Sequence, residues 1–178
     1  MSDPLPADLA VRALTAGDAK AAALVTAATD ITYLEWMPEG WRPAGEARER
    51  AHYAATLSEP GRWSAGAFEG DGRLIAFATL SQATDDEGAA IGGMGHITDL
   101  FVHPSRWRQG IAAALLALAE EEMRRRRYSR GRLRAPVGSP AIAFYESQGW
   151  IENGEANYTE MYDLHTIGFS KALGGSAA

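Results

Sequence analysis

Alternation of apolar and polar positions marks residues 8–14 (DLAVRAL) as a first strand. Thr15 with Asp18 three positions on is a helix-start signal, a hydroxyl followed by a carboxylate. Residues 19–28 are rich in good helix formers and read as a first helix. Residues 46–57 read as a second, amphipathic helix, with Ala47, Ala51, Ala54 and Ala55 small and Arg48, Glu49 and Arg50 solvated. Two apolar runs, residues 62–68 and 74–80, flank Glu69-Gly70-Asp71-Gly72, and an Asp-Gly pair between such runs signals a hairpin.

The stretch 96–119 changes period in its middle. Ile97, Leu100, Phe101 and Val102 are β-prone, and His103-Pro104-Ser105 ends the strand because proline cannot continue the ladder. Residues 106–110 are a short loop. From Ile111 the spacing of Ala112, Leu115, Leu116, Ala119 and Met123 is helical, closing in Arg124–Arg127. A strand, tight turn and helix result. The first amides of such a helix lack partners and carry the positive end of its dipole, so the turn suits an anion. Gly110 lets backbone approach a ligand closely, and Arg108 adds a fixed charge.

The rest of the chain reads as short elements. Residues 132–137 form a strand. Gly138-Ser139-Pro140 starts a helix over 141–148, with Ser139 as cap and Pro140 at its first position, and Gly149 stops it. Residues 150–152 and 159–164 read as closing strands, and the tail 174–178 as frayed. Residues 82–95 are glycine-rich and acidic and read as a flexible loop. Gly92-Gly93-Met94-Gly95 precedes a strand and lacks a Lys-Ser/Thr sequel, so it is not a phosphate loop. Residues 31–45 carry Tyr33, Trp36, Met37 and Trp41 among breakers; they read either as a binding wall or as core-edge packing.

Composition narrows the classes. With 178 residues, no internal repeat and no long linker, the chain reads as one domain over 1–178. No apolar run is long enough for a membrane helix, and the first residues lack the pattern of a signal peptide. Cysteine is absent, which excludes thiolate metal sites and a cysteine nucleophile and suits a cytoplasmic protein. A net charge of −6 argues against general nucleic-acid binding and mildly favours a cationic partner. The four arginines at 124–127 read as helix C-terminal cations, with a part in holding a coenzyme phosphate left open.

Two motifs resemble one family. Val102-His103-Pro104, Gln109-Gly110-Ile111-Ala112 and the Ala/Leu helix after them resemble motif A of the GCN5-related N-acetyltransferases, Gln/Arg-x-x-Gly-x-Gly/Ala. Gly110 and Ala112 match its small positions; Trp107 replaces the first. AIAFYESQGW, residues 141–150, is similar to motif B. Ala141, Phe144, Tyr145 and Gly149 fall on it, Trp150 replaces a Phe, and Gly138 replaces an Asn that often contacts the pantetheine arm. The order and separation of the motifs fit, so the resemblance covers nearly the whole chain.

The resemblance implies an α/β fold with a mixed, mostly antiparallel central sheet, splayed at the coenzyme A site and flanked by helices. It implies acetyl-CoA as co-substrate and no metal, held by Trp107, Arg108, Gln109, Gly110, Ile111, Ala112 and Tyr145, with backbone near Phe101 and Val102 on the pantetheine arm. The implied reaction is direct transfer of an acetyl group to a primary amine of a small molecule or peptide. Tyr145 is expected to protonate the leaving thiolate. The base is expected to be His96, whose ordinary pKa suits neutral pH, with Asp99 and water as alternatives. Strand alternation puts His96 and Asp99 on opposite faces unless a bulge intervenes. The other expectation is a catalytically silent coenzyme A-binding sensor with the same fold. A homodimer stays open.

Overall fold

The computed structural model of the chain describes residues 5–174. In order it runs β1 (Ala10–Arg12), α1 (Ala19–Asp30), α2 (Glu46–Thr56), β2 (Trp63–Phe68), β3 (Leu74–Thr84), β4 (Ala90–Val102), α3 (Ile111–Arg125), β5 (Arg130–Pro136), α4 (Ala141–Ser147), β6 (Ile151–Thr159) and β7 (Leu164–Ala172). The strands form one seven-stranded sheet in the order β1-β2-β3-β4-β5-β7-β6. Only β4 and β5 run parallel; every other pair is antiparallel. This is the mixed, mostly antiparallel sheet that the sequence led us to expect.

Two layers of helix cover the sheet. Leu14, Ala22, Val25, Tyr53, Leu57 and Phe77 pack α1 and α2 onto one face. Ala76, Ala78, Val102, Ile111 and Leu115 pack α3 onto the other. A third cluster joins Leu116, Met123, Leu133, Tyr145, Trp150 and Phe169 beneath α3 and α4. Trp150 Nε1 and Lys171 Nζ both donate to Glu120 Oε1, at 3.0 and 2.8 Å, which ties α3 to the chain around β6 and β7.

β4 and β5 pair only through Met94↔Arg130, Gly95↔Gly131 and His96↔Arg132. Beyond that point the strands part, leaving residues 97–102 of β4 and 133–136 of β5 unpaired with one another. The paired segment needs its glycines. A Cβ on Gly95 would stand 2.7 Å from Tyr128 Cδ2, and one on Gly131 would stand 2.7 Å from Trp150 Cη2. Both rings press on the sheet where the divergence begins.

β4 also carries a bulge. Leu80 pairs with Ile97 and Thr79 with Asp99, so Thr98 is the extra residue. Ile97 and Leu100 pack towards α3, while Asp99 faces Tyr53 of α2, 3.4 Å from its hydroxyl. The bulge thereby brings Asp99 to the side of the sheet on which His96 also borders the cavity described below.

Four sequence expectations need correction. Residues 82–95 are no loop: β3 runs to Thr84, β4 starts at Ala90, and Asp85 Oδ1 caps the turn between them by accepting from the Glu87 and Ala89 amides. Of the glycines here, Gly95 serves close packing against Tyr128 and Met123. Residues 159–164 are not one strand: Thr159 ends β6, residues 160–163 turn, Leu164 starts β7, and β7 lies between β5 and β6. Ser139 does not cap α4; its hydroxyl is buried without a partner, and Pro140 is the cap residue. In α2 the alanines lie outside and Glu49 is buried, on the stripe shared with Tyr53 and Leu57. Of the tail expected to fray, residues 175–178 lie outside the described residues. Among the described residues no helix is long and apolar enough to cross a membrane.

Replacing Gly131 by alanine forces a Cβ against the rigid Trp150 ring. Urea denaturation should show a loss of about 1–3 kcal/mol, the usual range for overpacking. A variant as stable as the parent would mean that the two strands are not held by this contact.

Candidate active site

The divergence of β4 from β5 opens a cavity of about 360 Å³. Its walls come from residues 96–101 of β4, residues 133–136 of β5, α1, α2, α4 and the chain around Tyr162. The volume falls in the range of small-molecule sites.

Tyr145 lines this cavity from α4. Its ring is held between Phe144 and Phe169, with centroids at 5.3 and 5.9 Å. Burial, and then the charge of Asp99, raise its pKa above the ordinary phenol value, so the hydroxyl stays protonated at neutral pH. Among the described residues that hydroxyl has no hydrogen-bond partner. It is a proton donor left unused by the fold.

His96 and Asp99 border the same cavity. His96 stands at the last β4–β5 pair, where Arg132 Nε donates to its Nδ1 at 3.4 Å. Burial, and then the guanidiniums of Arg132 and Arg134, hold its pKa down at about 3. At neutral pH the imidazole therefore carries no charge. Asp99 is oriented by hydroxyls: Thr79 donates to Oδ2, and Thr98 does so at 3.2 Å.

Three groups not singled out from sequence complete the site. Asp30 ends α1, and Glu49 lies across from it on α2; they are 7% and 1% exposed. Burial pushes Asp30 up to about 6. Burial, then Asp30, then Asp99, push Glu49 up to about 7. Glu49 Oε1 is buried without a hydrogen-bond partner. Tyr162 lies against the Glu49 carboxyl, and its own pKa is raised by burial first and Glu49 next. The aromatic segment divides between its two readings: Tyr33 and Trp41 line the cavity, while Trp41 also donates to the Tyr162 carbonyl at 3.0 Å and packs the edge. Trp36 packs against Tyr33 in a tilted arrangement, with centroids at 4.6 Å, and does not itself line the cavity.

The turn before α3 lies beside this cavity in sequence and outside it in space. Gly110 has φ of 76°, a left-handed conformation that disfavours a side chain, and no atom lies within 4 Å of where a Cβ would stand. The first helical bond runs from the Ala114 amide to the Gly110 carbonyl at 3.0 Å, so the amides of Ile111, Ala112 and Ala113 precede it. Arg108 is exposed, and its guanidinium has no partner among the described residues. These features fit a coenzyme pyrophosphate. Gln109 and Trp107 offer their side chains less freely: Arg106 Nε donates to Gln109 Oε1 at 3.0 Å, and Trp107 Nε1 donates to the Val102 carbonyl at 2.7 Å. Arg124, Arg125 and Arg126 pair with Glu120, Glu121 and Glu122 at the far end of α3, away from the turn.

Asp30 and Glu49 also mark stability. Between about pH 4 and 7 the folded protein keeps protons on them that an unfolded chain releases, so their contribution falls as pH rises through that window. Glu49→Gln should therefore raise the melting temperature relative to the parent more at pH 8 than at pH 4, flags that thermal scans at about these two values read directly. An equal shift at both would show that Glu49 titrates normally.

No curated protein matches the sequence significantly. Solved structures match its fold. A GCN5-related N-acetyltransferase from Rhodopseudomonas palustris is 20% identical with a TM-score of 0.72, covering 96% of this chain and 99% of its own. The PaiA N-acetyltransferase from Thermoplasma acidophilum, solved with coenzyme A, is 21% identical with a TM-score of 0.65, over 92% and 98%. The ribosomal-protein-S18-alanine N-acetyltransferase from Escherichia coli is 18% identical with a TM-score of 0.63, over 96% of each chain. The sequence pattern of the Acetyltransferase (GNAT) family matches residues 27–150, a span that holds the cavity's α2, β4, β5 and α4 walls together with the turn at Gly110, and the chain belongs to that family.

Proposed function

We propose that the protein is an N-acetyltransferase that moves an acetyl group directly from acetyl-CoA to a primary amine of a small molecule or peptide. The observation that carries this reading is the unpartnered Tyr145 hydroxyl in the cavity between the parted strands. A fold kept only for sensing coenzyme A has no use for a protonated, unbonded phenol there.

The amides of Ile111, Ala112 and Ala113, with Gly110 and Arg108, would hold the pyrophosphate. The unpaired edge of β4 at Phe101 and Val102 would hold the pantetheine arm; at Val102 only the amide serves, because its carbonyl already accepts from Trp107 Nε1 and Thr29 Oγ1. When bound, acetyl-CoA supplies the activated acetyl group as a thioester.

The chain's own residues handle the protons. An amine enters as its ammonium and must become neutral to attack. Asp99, fixed by Thr79, Thr98 and Tyr53, faces the cavity beside Tyr145 and is the proton acceptor in this reading. His96 shapes the wall and stays neutral. Tyr145 Oη gives its proton to the departing sulfur, a task its raised pKa suits because the proton is retained until that charge develops.

Tyr145→Phe removes only the hydroxyl. With the best amine found in a screen, kcat should fall at least ~10-fold while acetyl-CoA affinity and melting temperature change little. Parental kcat, with chemistry limiting, would reduce Tyr145 to a packing residue. Asp99→Asn should lower kcat/KM by a similar factor, and His96→Gln should leave the pH profile above about 5 in place. Loss of a pH limb on His96→Gln would return the base to His96. Gly110→Leu should weaken acetyl-CoA binding in calorimetry at least ~10-fold, because a side chain would fill the space before the amides. Parental affinity in a folded variant would place the pyrophosphate elsewhere.

A further inference from the structure

The acidic end of the cavity is not explained by acetyl transfer itself. Asp99 alone serves the reacting amine. Asp30 and Glu49 stand further along, on α1 and α2, and neither forms an ion pair among the described residues. Burying carboxylates without cations is costly, and a fold keeps such groups where a ligand supplies the missing charge.

Their placement orders the cavity. The charge of Asp99 acts on both Tyr145 and Glu49, while that of Asp30 acts on Tyr33 and Glu49. Asp99 therefore neighbours both Tyr145 and Glu49, and Tyr53, one turn along α2 from Glu49, reaches Asp99 at 3.4 Å. Glu49 Oε1 is a buried acceptor with nothing bonded to it, on a side chain that lines the cavity. Tyr33, Trp41, Tyr53 and Tyr162 line the cavity too, and aromatic rings in a wall favour an organic cation. Among the described residues the carboxylates do not gather into a metal-ligating group of three or more. The opposite wall carries Arg62 and Arg134, but Arg62 already binds Glu59 at 2.7 Å and Arg134 faces Glu155 at 3.8 Å.

We propose that Glu49 and Asp30 bind a second, non-reacting cationic group of the acceptor, so that the preferred acceptors are small diamines with one amine at Tyr145 and Asp99 and the other at Glu49. This rests on the amine-acetyltransferase reading above and names its substrate class. The groups facing Glu49 are Asp30 from α1, Asp99 from β4, Arg48 and Tyr53 from its own helix, and Tyr162 from the turn after β6. Because the carboxylates must be ionised to hold a cation, the second site should weaken as pH falls through about 7, where Glu49 takes up its proton, and then about 6, where Asp30 does.

The test separates binding from transfer. Calorimetry at pH 8 with saturating coenzyme A compares 1,4-diaminobutane, butylamine and 4-amino-1-butanol, which differ in the second charge but little in size. The parent should bind the diamine at least ~10-fold more tightly than either monocation, and Glu49→Gln should bring that ratio towards one. Equal affinities in the parent, or an unchanged ratio in Glu49→Gln, overturn the proposal. If Glu49→Gln does not fold, Asp30→Asn reads the same end by the same ratio. Thiol release from acetyl-CoA is followed separately. Diamine-selective binding without thiol release keeps the cation site and overturns the transfer reading. Thiol release as fast with butylamine as with the diamine, at equal subsaturating concentrations, keeps transfer and overturns the cation site.

Discussion

The site depends on the loss of pairing between β4 and β5 after His96 and Arg132. Parallel neighbours ordinarily stay in register along their length. Here Gly95 and Gly131 draw the strands together under Tyr128, Met123 and Trp150, and beyond them the strands diverge. The divergence creates a cavity with backbone on two sides and gives α4 room to bring Tyr145 to its edge. The bulge at Thr98 adds the second requirement, turning Asp99 towards α2 without moving Ile97 and Leu100 off the α3 core.

Electrostatics then divide the cavity. Burial, and then Arg132 and Arg134, keep His96 neutral at one end. Asp30, Glu49 and Asp99 make the other end acidic, and Tyr145 stands by Asp99 with its proton retained. The net charge of −6 is thus concentrated in part where a cation would enter, which gives a local meaning to a number that by itself says little.

The fold was legible where chemistry is local. The break at His103-Pro104, the glycine at 110 and the apolar spacing of α3 sit within one short stretch, and the Phe144-Tyr145 pair with Gly149 marks α4. What escaped depends on partners far along the chain. The glycine-rich run 92–95 looks like a loop until Tyr128 and Met123 are known to need the space at Gly95. β6 is an exposed edge strand with a polar sequence, so the outer neighbour of β7 was not visible in the pattern. Glu49 looked solvated because charge usually is. Only Tyr53 and Leu57, four and eight positions on, mark its stripe as the buried one. The condition set on His96 and Asp99, a bulge between them, was legible as a condition and was met at Thr98.

A crystal structure of the protein with coenzyme A tests the central claim most directly. The account predicts the pyrophosphate on the amides that follow Gly110, and the pantetheine arm running between the unpaired edges of β4 and β5 to end beside Tyr145. Coenzyme A bound away from that gap, or β4 and β5 closed into continuous pairing beyond His96 and Arg132, would contradict it.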